Sequence, residues 1–133
     1  MLWQDAMDKP YDIRERAFLF ACEAVLAFPK GRLEQPDTRI WLQMISAATS
    51  AGAHLEEAQA ASSRAHFVTL NRGALRELRE ALFWLRLLVA TKRIGHQAAA
   101  RLAPEADELV SIVTAIVKRA SAKLRIRSAR PGS

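Results

Sequence analysis

Three histidines, one cysteine and a close pair of glutamates are the groups in this chain of 133 residues whose types suit catalysis or metal binding. A di-iron centre in a helical bundle needs Glu-x-x-His pairs on two helices and two further glutamates. No glutamate here stands three residues before a histidine. Glu77 and Glu80 lie one helical turn apart beside Arg76 and Arg79, which suits local ion pairing. A carboxylate pair without histidine partners makes a poor metal site. His54, His66 and His96 are scattered; the first two can meet across a turn, but two imidazoles without a third ligand do not bind a metal well. Cys22 sits in the mostly apolar stretch 18–28 and has no disulfide partner in the chain, so it reads as a small buried hydrophobe. No Gly-x-Ser-x-Gly elbow and no phosphate-cradling glycine loop is present. The expectation is a protein without catalytic residues, metal or cofactor.

Charge chemistry is the stronger signal. The formal net charge is +6. Residues 117–133 carry Lys118, Arg119, Lys123, Arg125, Arg127 and Arg130 and no acid. The other 14 basic residues balance the 14 acidic ones, so the basicity belongs to the C-terminal segment. Such a segment favours polyanions, nucleic acid above all; composition alone leaves open a solvated terminus that serves solubility. Zinc-finger, basic-zipper and RNA-recognition signatures are missing. Binding would therefore run through phosphates with low sequence specificity. Six phosphate contacts imply a log–log salt slope of about −5 on duplex DNA. Trp41 and Trp84 could stack on bases, but both fit helical packing in a core or interface.

Those side chains must be carried by helices. Glycine and proline, five of each, fall mostly between long periodic segments, and no stretch alternates as a strand does. A first helix begins after Pro10, with Asp12 and Glu15 as a capping box. Ile13, Ala17, Phe20, Ala21, Ala24, Val25 and Phe28 keep helical spacing, and Pro29, Gly31 and Pro36 mark a loop. A second helix, capped by Asp37, runs to about Ala60 with Trp41, Met44, Ala48, Ala51 and Leu55 on its apolar face; Gly52 is read there as a point of close helix contact. Ser62 or Ser63 caps a third, with Phe67, Leu70, Ala74, Leu78, Ala81, Leu85 and Leu88 inward as far as Thr91. The fourth is announced by Pro104 at its first position, with Glu105, Asp107 and Glu108 in the first turn. Its inner stripe is Ala106, Leu109, Val113, Ile116, Val117 and Ala120, and a further turn fits between Gln97 and Leu102. The expected architecture is an all-α, antiparallel up-down-up-down four-helix bundle spanning 11–123, with 1–10 as an N-terminal extension and 124–133 as a basic mobile tail. A long two-helix hairpin assembling with its own copies is the other arrangement.

The third helix has a second apolar patch. Opposite its inner stripe stand Arg72, Arg76 and Arg79, and further along Phe83, Leu87 and Ala90 with Trp84 at the margin. A monomeric bundle has no use for such a patch, so either another subunit or another part of the chain, such as Leu2 and Trp3, covers it. Repeated heterologous contacts would close a ring.

The stretch Ser62-Ser63-Arg64-Ala65-His66-Phe67 is followed by Ala74-Leu75-Arg76-Glu77-Leu78-Arg79-Glu80-Ala81-Leu82-Phe83-Trp84-Leu85-Arg86-Leu87-Leu88. Together they resemble the second hairpin arm of the four helix bundle protein family, the ribosomal-intervening-sequence proteins. They are similar also to the accessory variability protein of diversity-generating retroelements. Asp12-Ile13-Arg14-Glu15-Arg16, Leu55-Glu56-Glu57-Ala58-Gln59 and Glu105-Ala106-Asp107-Glu108-Leu109 resemble other parts of the same pattern, over about 11–120. His54 departs from it, where asparagine is expected, and so does Ala58, where glycine is frequent. The resemblance implies an antiparallel bundle, a ring-like homo-oligomer of five subunits and no catalysis. Through the retroelement relatives, and not the wider family, it also implies nucleic-acid binding, RNA or DNA, beside a reverse-transcriptase-like partner.

The acidic residues Asp5, Asp8, Asp12 and Glu15 leave no continuous apolar run near the N-terminus, and no segment is long enough to cross a bilayer. The expectation is a cytoplasmic protein without membrane partners. It is a non-enzymatic oligomeric scaffold that binds nucleic acid through basic residues. The other reading is a protein–protein adaptor whose tail serves solubility.

Overall fold

The computed structural model describes residues 12–129. Among them are four helices and no strand: α1 (Ile13–Leu26), α2 (Asp37–Ala58), α3 (Arg64–Ala90) and α4 (His96–Ala129). α1 packs on α2 and α4, and α3 packs on the same two helices. The diagonal pairs make no close backbone approach, which is the square section of a four-helix bundle with short connections. Among the described residues no helix is long and apolar enough to cross a membrane.

The termini follow from local chemistry. Asp12 Oδ1 accepts from the Arg14 amide at 2.9 Å and caps α1. The Arg14 guanidinium beside it holds this carboxyl below its ordinary range. Ser63, not Ser62, caps α3 by accepting from the His66 amide at 3.0 Å. Asp37 is not the cap of α2: that position falls on Pro36, and the Asp37 carboxylate is taken by Arg93 from the α3–α4 turn. α3 closes with Arg93 N donating to Leu88 O and Lys92 N to Val89 O, and Lys92 takes the left-handed conformation that ends many helices.

Trp41, Met44, Ala48, Ala51 and Leu55 of α2 are buried as their spacing predicts, against Phe20, Leu78, Leu85, Leu88, Leu102 and Leu109. On α3 the inner stripe is right from Ala74 onward, whereas Phe67 and Leu70 are half-buried and Val68 and Asn71 take the enclosed places. α1 joins α4 through a polar seam. Arg16 donates to both oxygens of Glu105, at 2.7 and 3.3 Å, and reaches Glu108 at 3.1 Å. Arg101 pairs with the buried Glu23 at 3.4 Å.

Two expectations are corrected in α4. The helix begins eight residues before Pro104, which lies inside it. The intervening Gln-Ala-Ala-Ala-Arg-Leu-Ala run consists of strong helix formers and buries Leu102, enough to carry a proline that removes one backbone bond. Glu105 then serves the Arg16 pair, not a helix start. Residues 124–129, expected as the beginning of a tail, continue the helix. Residues 1–10, with Leu2 and Trp3, lie outside the described residues, as does Arg130.

The close helix contact expected at Gly52 is found elsewhere. A Cβ at Gly52 would sit 3.8 Å from Ala17 O, an ordinary contact. At Gly73 it would lie 2.5 Å from Cδ2 of His54. The His54 ring is pinned because Nδ1–H donates to Ser50 O at 2.8 Å. Gly52→Ala therefore stabilises the fold by about 1 kcal/mol in thermal unfolding, through helix propensity alone. Gly73→Ala destabilises it by about 1 kcal/mol or more through overpacking, and becomes stabilising once His54 is also alanine.

Candidate nucleic-acid interface

α4 is longer than α1 by 20 residues, about 30 Å of helix. Its last acid is Glu108, and the segment beyond carries Lys118, Arg119, Lys123, Arg125 and Arg127, all exposed. The ion pairs among the described residues use Arg14, Arg16, Arg93 and Arg101, so these five cations are not committed to holding the fold. Arg72 Nη2 donates to Ser121 Oγ at 3.2 Å, which joins the first half of α3 to this end of α4. Arg76 and Arg79 continue along the outer face of α3, both exposed. Arg72, the first of the α3 cations, is thus held against the cationic half of α4, on the flank of Lys118 and Arg125. The hydroxyls of Ser111 and Thr114 donate back to the carbonyls of Asp107 and Val110. The surface offers positive charge on rigid helices, which suits phosphates.

The apolar patch on α3 is open. Phe83 is 55% exposed, Ala90 is exposed, and Leu87 and Trp84 are half-buried. Phe83 meets the edge of Trp84 at 5.2 Å between centroids. Trp84 Nε1 donates to Glu80 at 3.3 Å, and the ion pairs expected between Glu77 or Glu80 and Arg76 or Arg79 are not formed. Arg76 and Glu77, and Arg79 and Glu80, stand about 100° apart round the helix; Arg76 and Glu80 share a face, but the Glu80 carboxylate accepts from Trp84 instead. Trp41 is buried edge-on to Phe28 and is not available to bases.

One apolar surface escaped sequence reasoning. A groove of about 590 Å³ runs between α1 and α2, with Phe18, Ala21, Thr49 and Gly52 on its floor and Arg14, Glu15 and Glu56 at its rim. It continues past Cys22 to Val25 and Leu26. Phe18 is 58% exposed and Leu26 69%. Val25, which the spacing assigns to the core, is exposed too. The signal was present: α1 is apolar around most of its circumference, more than one buried face requires. Among the described residues no group of three metal-capable side chains comes together.

The model of the 23S rRNA-intervening sequence protein family matches residues 9–115. The chain belongs to this family. A crystal structure of a protein of unknown function from the S23 ribosomal protein family of Bacteroides thetaiotaomicron is similar, at 26% identity and a TM-score of 0.69, covering 80% of this chain and 99% of that one. A search of curated proteins finds no match. The family match ends at residue 115, so the five cations from Lys118 to Arg127 lie beyond the matched part.

Proposed function

We propose that this protein is a non-enzymatic, cytoplasmic, oligomeric helical scaffold that binds nucleic acid through phosphate contacts, as accessory to a nucleic-acid-processing partner. The observation that carries the reading is the acid-free second half of α4. Five exposed cations there take no part in the ion pairs among the described residues, and Arg72 of α3 is bonded to Ser121 in their midst. Zinc-finger, basic-zipper and RNA-recognition signatures are missing from the sequence, which supports binding through phosphates with low sequence specificity. A reverse-transcriptase-like enzyme is the kind of partner the retroelement resemblance suggests. Retention of labelled duplex at low salt, lost at high salt, is the supporting result; retention at neither refutes it.

Assembly is supported by two apolar surfaces on different faces of one chain. Pairing the α3 patch with its own copy would set Arg86 against itself. Seating it in the α1–α2 groove, which Glu15 and Glu56 line, would bring opposite charges together and give a heterologous contact that can close a ring. Light scattering on the wild type then gives a multiple of 14.8 kDa, five-fold if the ring follows the family resemblance. Phe83→Glu lowers that mass to the monomer value. A wild-type monomer would refute assembly and favour the adaptor reading, with the groove and the Phe83 patch docking a foreign protein.

A further inference from the structure

The end of α4 is organised as a ridge between two basic rows. At 100° per residue, Ala115, Ala122 and Ile126 share the line facing away from α3 and the core, while Ala120 and Ser121 face inward and are buried. Lys118 and Arg125 lie about 70° to one side of that line; Arg119 and Lys123 lie about 40° and 80° to the other, with Arg127 beyond them. The five cations span about 14 Å of continuous helix.

We infer that this helix end enters the major groove of a B-form DNA duplex, the two rows reaching phosphates on opposite strands. The inference rests on the nucleic-acid reading and narrows it to one class. A helix of about 10–12 Å diameter fits a B-form major groove of about 12 Å width. Small ridge residues let the backbone approach the base edges. Ile126, 58% exposed, presents an apolar side chain of the kind that contacts thymine methyls, which RNA lacks. The A-form major groove is deep and narrow and does not admit side chains. Single strands are held by aromatic stacking platforms, and no Phe, Tyr or Trp follows Trp84.

The test is fluorescence anisotropy at about 0.1 M salt, where phosphate contacts still bind. The probes are a DNA duplex, the RNA duplex of the same sequence and the single DNA strand. Binding of the DNA duplex about tenfold tighter than either of the others supports the inference. Ala115→Trp keeps the charge but thickens the ridge at an exposed position. It weakens DNA-duplex binding about tenfold with helical content by circular dichroism unchanged. Equal or tighter binding of the RNA duplex or the single strand overturns groove entry and leaves nucleic-acid binding standing. So does an Ala115→Trp protein that binds as well as the wild type. Binding of none of the three probes overturns both.

Discussion

Glutamine at Lys118, Arg119, Lys123, Arg125 and Arg127 together removes measurable duplex binding while leaving the helical fold in place. The fold survives because the ion pairs that tie the helices use other residues, Arg16, Arg93 and Arg101. Binding is lost because each phosphate contact releases condensed counterions, so five contacts set a salt slope of about −4.5 on duplex DNA. Between about 0.05 and 0.2 M salt that slope weakens the wild type roughly 500-fold. Single substitutions flatten it by about one unit each, whatever the sequence of the duplex. Five-glutamine protein that still binds with the wild-type slope would move the interface away from α4.

Arg16→Met lowers the stability of the fold by about 3–5 kcal/mol, a large share of what a domain of this size holds. Arg16 is 7% exposed and Glu105 is 3% exposed, and their side chains meet through two hydrogen bonds. Those bonds to Glu105 push the Arg16 guanidinium above its ordinary value, so it stays charged at any pH the fold survives. Removing the arginine takes the opposite charge and two hydrogen bonds from an enclosed carboxylate, and the midpoint of thermal unfolding falls by roughly 10–20 °C. Arg16→Met with Glu105→Leu recovers most of the loss, because apolar replacement of a whole buried pair is close to neutral. A double variant as unstable as the single one would show that the pair is not the source of the effect.

The helix order and most of the core were legible because α2 and α3 bury one stripe each. Trp41, Met44 and Leu55, and then Leu78, Leu85 and Leu88, recur at spacings only a helix brings to one side. α1 is less legible: with apolar residues on nearly every face, periodicity cannot choose which to bury, and Val25, at an inward spacing, lines a groove instead. Pro104 followed by three acids has the composition of a helix start. Only the distant Arg16 shows that Glu105 is needed inside a longer helix, and a contact between α1 and α4 has no local signature. Likewise His54 over Gly73 is a meeting of two helices that Gly52, sitting in a run of small residues, only seemed to announce.

The candidate interface was half legible. The acid-free run of cations is a matter of composition and could be read at once. The two rows depend on α4 remaining helical through Ala129, and the ending expected near Lys123 hid that arrangement. The bond between Arg72 and Ser121, which holds the first α3 arginine against the cationic half of α4, is tertiary and could not be read from spacing.

The most direct test of the account is an anisotropy titration of the wild-type protein against a labelled DNA duplex of about 20 base pairs, repeated across about 0.05–0.2 M salt. Nucleic-acid binding through α4 predicts tight binding at the low end and a log–log slope near −4.5. No binding at the lowest salt, or affinity that does not change with salt, would contradict it.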